Sequence, residues 1–140
     1  SVQMDIVQAP LNVFDRRMVD SGWAERLKKL GIEFHARSVF LQGLLLMSPA
    51  NRPKKFKRWQ GVWQEWDGWL KKTGLTPLEA CLRYALSIKE ADKVIVGVDT
   101  VAQLQEILNA AKGTLDTMPA PEWSSPMDMD LINPARWETL

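Results

Sequence analysis

With 140 residues, 46% of them apolar and 25% charged, the chain has the composition of one soluble globular domain large enough for a sizeable core. Eighteen basic residues against 17 acidic leave a net charge of +1, which gives no ground for expecting nucleic acid or an anionic membrane as a partner. The single cysteine, Cys81, cannot form an internal disulfide, no apolar run reaches the ~20 residues of a membrane span, and no secretory pattern opens the chain, so the expected compartment is the cytoplasm.

Met4 to Ala9 is short, apolar-rich and closed by Pro10, as a buried strand would be. Ser1 is not an initiator, and a strand this early leads us to expect that the chain begins in mid-domain. Trp23, Leu27 and Leu30 then share one helical face before Gly31. Ile32 to Arg37 alternates like a second strand, and a long connection with Gly43, Pro49 and Pro53 follows. Phe56, Trp59, Trp63, Trp66 and Trp69 with Leu70 recur every three or four residues, which predicts a helix. Thr76-Pro77-Leu78-Glu79 is a capping box with proline at the first helical position, opening a helix to about Lys89. Lys93 to Gly97 reads as a third strand and Thr100 to Lys112 as a further helix. From Thr114 onward Pro, Met, Asp and Ser dominate, as in an extended tail.

Strands alternating with helices predict an α/β protein with a parallel sheet. Three parallel strands make a poor domain by themselves, because both faces and both edges of such a sheet need cover. The pattern therefore looks like part of something larger. Ligands in such folds gather at the carboxyl ends of the strands, here residues 8–14, 37–45 and 97–103. A bland reading competes at the last of these. Thr100 and Gln103 can cap a helix without any ligand, and Asp99 would repel an anion there.

Other candidates read as structure. His35 has no second histidine or cysteine pair with which to bind a metal, so no metal site is expected and His35 is taken as a hydrogen-bonded strand residue. Cys81 reads as a small packing residue. Ser38 lacks a nucleophile elbow, and Lys54, Lys55, Lys57 and Arg58 read as a solvated helix face. The residues alone offer binding loops and no assembled acid–base or nucleophilic centre.

Three motifs in order carry a resemblance. DIVQAPLNVFDRR, GIEFHARSVFLQGLLL and VIVGVDTVAQLQEI resemble the sixth, seventh and eighth barrel strands of the aldo/keto reductase family, over about residues 4 to 112. The resemblance implies the C-terminal portion of a (β/α)8 TIM barrel, with three parallel strands and flanking helices over residues 1–113. Residues 114–140 would be a tail packing on that barrel or forming a substrate loop. It implies a fragment of an NAD(P)H-dependent oxidoreductase that interconverts carbonyls and alcohols by hydride transfer. The family's catalytic Asp, Tyr, Lys and His lie on the first four strands, so no catalytic residue is expected in this chain.

Carried over position by position, the resemblance assigns the cofactor's carboxamide to Gln8. Its pyrophosphate falls to Ser38, Phe40, Gln42 and Gly43. Its adenosine end falls to Gly97, Val98, Asp99, Gln103 and Glu106. Arg37 stands where the family often has an aromatic under the nicotinamide. Val39 replaces the usual proline, and Val98, Asp99 and Ile107 replace the common Ser, Arg and Asn. An aspartate at 99 removes the partner of a 2′-phosphate, so NADH is expected over NADPH. Expected partners are the dinucleotide and a small carbonyl substrate in the parent enzyme. The fragment itself would pair with the missing barrel half or with itself. The alternative is a non-catalytic half-barrel module for binding or assembly.

Overall fold

The computed structural model describes residues 3–115 and 119–140. Its sheet has the order β1 (Ile6–Pro10), β2 (Glu33–Arg37), β3 (Lys93–Val94), and both pairings are parallel. Two short helices, α1 (Arg17–Asp20) and α2 (Trp23–Lys29), cross from β1 to β2. The second crossover carries the longer helices α3 (Gln60–Thr73) and α4 (Pro77–Ser87). Helix α5 (Val101–Ala111) follows β3, and α6 (Met129–Ile132) lies near the C-terminus. Among the described residues, no helix is long and apolar enough to cross a membrane.

Alternation decides which side of the sheet meets the helices. Phe34 and Ala36 are fully buried, with Val7, Ala9 and Val94 packed against the same core. The opposite face carries Ile6, Gln8, Glu33, His35, Arg37 and Lys93, with Gln8, His35 and Lys93 in one row across all three strands. His35 is buried on that face, and its Nε2 lies 2.7 Å from a Glu33 carboxylate oxygen, as a hydrogen-bonded strand histidine requires.

The tryptophan stripe forms the centre of the core. Phe14, from the loop after β1, meets Trp63 at 5.3 Å, Trp66 edge-on at 5.8 Å and Trp123 edge-on at 4.9 Å. Thus one phenylalanine joins the first crossover, α3 and the C-terminal segment. The stripe does not begin as an α-helix. Residues Lys54–Trp59 wind as 3-10 turns, in which Phe56 and Trp59 still share a face three residues apart. Lys54, Lys55, Lys57 and Arg58 are exposed there. Arg52, almost wholly buried, donates two hydrogen bonds to Asp67 and lies over Trp63 at 4.3 Å.

Other boundaries move for local reasons. The third strand is shorter than Lys93–Gly97 because β2 ends at Arg37. Pairing stops at Val94, after which Ile95 donates one more bond to the Ala36 carbonyl. Helix α4 stops at Ser87, where Ile88 turns extended, and its N-terminus carries the full Thr76–Glu79 capping box. At α5, Thr100 Oγ1 accepts from the Gln103 N–H, but the Gln103 amide oxygen serves Asp99 N–H instead of completing a box.

The C-terminal segment is folded. Leu131 and Ile132 are buried, and 3-10 turns continue over Pro134–Thr139. Arg16 donates to the Pro121 carbonyl at 2.7 Å, and the Trp123 indole N–H donates to the Val13 carbonyl. Asp128 is held below the ordinary aspartate range by the Asp130 N–H and then the Trp59 indole. Asp130 is held low by Arg136 and Arg58. Cys81 is buried and burial pushes its thiol pKa upward, which fits a packing role and not a reactive one.

Candidate functional site

Two loops at the carboxyl ends of the strands enclose a cleft of about 720 Å³, within the range of small-molecule and cofactor sites. The loop after β2 contributes Arg37, Ser38, Phe40, Gln42 and Gly43. The β3–α5 connection and the first turns of α5 contribute Gly97, Asp99, Gln103 and Glu106. Nine of the residues singled out from the sequence thus line one cavity. Val98 lies in the same loop but outside the lining. Gln8 sits on exposed β1 beside His35, also outside it.

The chain reaches this geometry through an unusual backbone. Ser38, Leu41 and Gln42 have φ values of 54°, 49° and 55°, and Gly43 follows at 82°. Three non-glycine residues in the left-handed region store about 1–3 kcal/mol each, and such strain concentrates at ligand clamps. Short turns stabilise the loop: Leu41 N–H donates to the Ser38 carbonyl, and Leu45 N–H to that of Phe40. Among the described residues, the N–H groups of Val39, Phe40, Gln42 and Gly43 make no hydrogen bond. A side chain at Gly43 or Gly97 would meet nothing within 4 Å. Across the cleft, Thr100 caps α5 and leaves the first N–H groups of this eleven-residue helix directed out of its N-terminus.

Sequence reasoning missed two parts of the arrangement. Leu46, Leu78, Ile95 and Val96, with Val39 and Ile107, supply an apolar floor, which only long-range packing assembles. The other is Asn12, fully buried, whose Nδ2 donates to the Ser38 carbonyl at 3.0 Å. Its Oδ1 accepts from the Phe14 and Asp15 N–H groups at 2.9 and 2.8 Å. Asn12 therefore ties the loop after β1 to the loop after β2. The local signal was an asparagine in the turn after Pro10, a residue type whose side chain bonds the backbone two residues on in an Asx-turn.

No three metal-ligating side chains cluster among the described residues. Tyr84, the chain's one tyrosine, is buried on α4, takes no part in the cleft lining, and has its pKa raised chiefly by desolvation. The cleft offers backbone donors, a helix N-terminus and apolar surface, a set suited to holding a ligand with phosphate groups.

A family model described as the aldo/keto reductase family matches residues 1–125. No curated protein matches the chain. Among solved structures, an aldo-keto reductase from Bacillus halodurans is similar in its holo form, at 19% identity and TM-score 0.57, covering 78% of this chain and 37% of that one. Its apo form is similar at 19% identity and TM-score 0.59, covering 80% of this chain and 39% of that one. At that identity the likeness speaks for the fold: a part of a (β/α)8 barrel with three parallel strands and flanking helices. This chain spans under two-fifths of the length of those structures. With a match over most of its residues, the chain belongs to the aldo/keto reductase family.

Proposed function

We propose that the chain supplies the dinucleotide-binding side of a cytoplasmic NAD(P)H-dependent reductase acting on small carbonyl compounds. The observation that carries this reading is the single cleft shared by the loop after β2 and the start of α5. The unpaired N–H groups between Val39 and Gly43 suit a pyrophosphate, with Ser38 and Gln42 beside them. Gly97, Asp99, Gln103 and Glu106 suit the adenosine end, with Val98 at the margin. Arg37 lies toward the nicotinamide, and Gln8 serves its carboxamide.

A bound dihydronicotinamide would supply hydride to the carbonyl carbon. The residues of this chain bind and orient it. The proton for the carbonyl oxygen comes from residues of the parent enzyme outside this chain.

Asp99 sets the preference for NADH. Its exposed carboxylate stands at the start of α5, its N–H already committed to Gln103 at 2.8 Å. A 2′-phosphate nearby would meet a like charge, unfavourable by up to about 4 kcal/mol at 4 Å before salt screening. Titration of the full polypeptide that carries this chain is expected to give tighter binding of NADH than of NADPH. Asp99→Arg is expected to raise NADPH affinity about tenfold, or about 1.4 kcal/mol. Failure of both dinucleotides to bind would overturn the reading; a wild-type preference for NADPH would overturn only the assignment to Asp99.

A second reading, a half-barrel that docks onto a partner, draws support from exposed apolar side chains. Val101, Leu104 and Leu108 follow one another along α5, and Ile95 after β3 and Ile6 on β1 are exposed as well. Such a surface favours the rest of a barrel or a second copy as its cover. The isolated 140-residue chain is expected to run above monomer mass in light scattering. A stable monomer would argue against that partner.

A further inference from the structure

Beside the main cleft lies a smaller recess of about 230 Å³. One wall is the end of the sheet, with Arg37, Ser38 and Gln42, which also line the main cleft. The other wall is the C-terminal segment around Ile132, Asn133 and Pro134, with Arg17 closing one side. Two guanidinium groups line this recess and no carboxylate does. Arg17 is partly neutralised, because Asp15 takes bonds from its Nε and one terminal nitrogen at 2.8 and 2.7 Å. Arg37 forms no ion pair among the described residues. Asn133 spends its Oδ1 on the Ala135 N–H, so its Nδ2 remains to donate. Ser38 and Gln42 add further polar groups.

The walls set the recess apart from the adenosine end of the main cleft. Residues of α5, assigned above to the adenosine end, line only the main cleft, whereas the recess is lined by the C-terminal segment and Pro10. Arg37, Ser38 and Gln42 border both spaces, and Arg37 is the cation among them.

We propose that this recess takes the anionic end of the carbonyl substrate, a carboxylate or a phosphate, with Arg37 as its principal counter-charge and Asn133 as a neutral donor. The assignment rests on the reading of the main cleft as a dinucleotide groove. An arginine with no internal partner is well suited to this, because its planar fork meets either anion through two parallel hydrogen bonds. Arg37 thereby becomes a determinant of substrate class.

The test uses the full polypeptide that carries this chain and two matched pairs of carbonyl compounds. One pair is 4-oxobutanoate and its uncharged methyl ester; the other is glyceraldehyde 3-phosphate and glyceraldehyde. The wild-type protein is expected to favour the anionic member of at least one pair by tenfold or more in kcat/KM, and the pair that responds identifies carboxylate or phosphate. Arg37→Met is expected to bring that ratio near one, mainly through KM. Arg37→Lys should retain part of it, and Asn133→Ala should lower it severalfold. Calorimetric binding of 4-oxobutanoate and of glyceraldehyde 3-phosphate to wild-type and Arg37→Met protein is read in parallel, without any dinucleotide. Anion binding that Arg37→Met abolishes, in a protein that binds no dinucleotide, would keep the recess and discard the groove. Dinucleotide binding with no anionic preference, or with a preference that survives Arg37→Met, would discard the recess and keep the groove.

Discussion

Replacing Trp66 with alanine is expected to lower the unfolding free energy by about 4 kcal/mol, within the range for deleting a buried aromatic side chain. Trp66 is fully buried, stacked on Trp69 at 5.9 Å and edge-on to Phe14 at 5.8 Å, so two aromatic pairs are lost with it. One opposing contribution moderates the figure. The Trp66 indole N–H is buried with no hydrogen-bond partner among the described residues. An unpaired donor costs about 1–3 kcal/mol, and the substitution removes that cost. Trp66→Phe, which keeps most of the ring contact and also discards the orphan N–H, is expected to be much milder than alanine. Urea unfolding of both variants measures the difference; equal losses would show that the ring contacts are not what stabilises this region.

Asn12→Ala is expected to cost about 3 kcal/mol and, on the proposed function, to weaken dinucleotide binding as well. The side chain's three hydrogen bonds all lie in buried or partly buried surroundings, and their loss leaves the Phe14 and Asp15 N–H groups without an acceptor. Asn12→Asp separates the two consequences. A carboxylate still accepts from both N–H groups, so the loop after β1 stays supported. It can no longer donate to the Ser38 carbonyl and places a negative charge beside it. Stability measured in urea should therefore fall less in Asn12→Asp than in Asn12→Ala. Affinity for the dinucleotide should fall in both, by about tenfold, as expected when a clamp loop loses its support. Unchanged affinity in Asn12→Asp would mean that Ser38 keeps its place without Asn12.

Much of this architecture is written in local signals. The alternation of Glu33–Arg37, the three-and-four spacing of the tryptophans and the Thr76–Glu79 box each depend on neighbours in the chain, and each element is present. Local reasoning fails where a partner lies far away. The third strand shortens because of where β2 ends, which its own residues do not state. The C-terminal segment reads as an extended tail because its Pro, Ser and Asp residues lack periodicity. Its order comes from contacts with Arg16, Val13, Trp59 and Arg58, more than sixty residues away.

The cleft was legible in the same divided way. Glycines at strand ends marked the two loops, and the family resemblance joined them. Neither could show that Asn12 braces Ser38, or that the C-terminal segment walls a recess beside Arg37. Those relations are made by folding.

The way α5 is seated has a consequence of its own. This helix does not pack into the tryptophan core; it rests on a separate small cluster of Leu82, Ile107 and Ala110, with Leu78, Val94 and Val96 around it. The strand before it is registered to the sheet over only two residues. One wall of the cleft is thus expected to open at lower free energy than the aromatic centre opposite it. A ligand that bridges the two walls would fasten the weaker wall to the stronger one. Its binding energy would appear as slowed amide exchange along α5, with little change in α3.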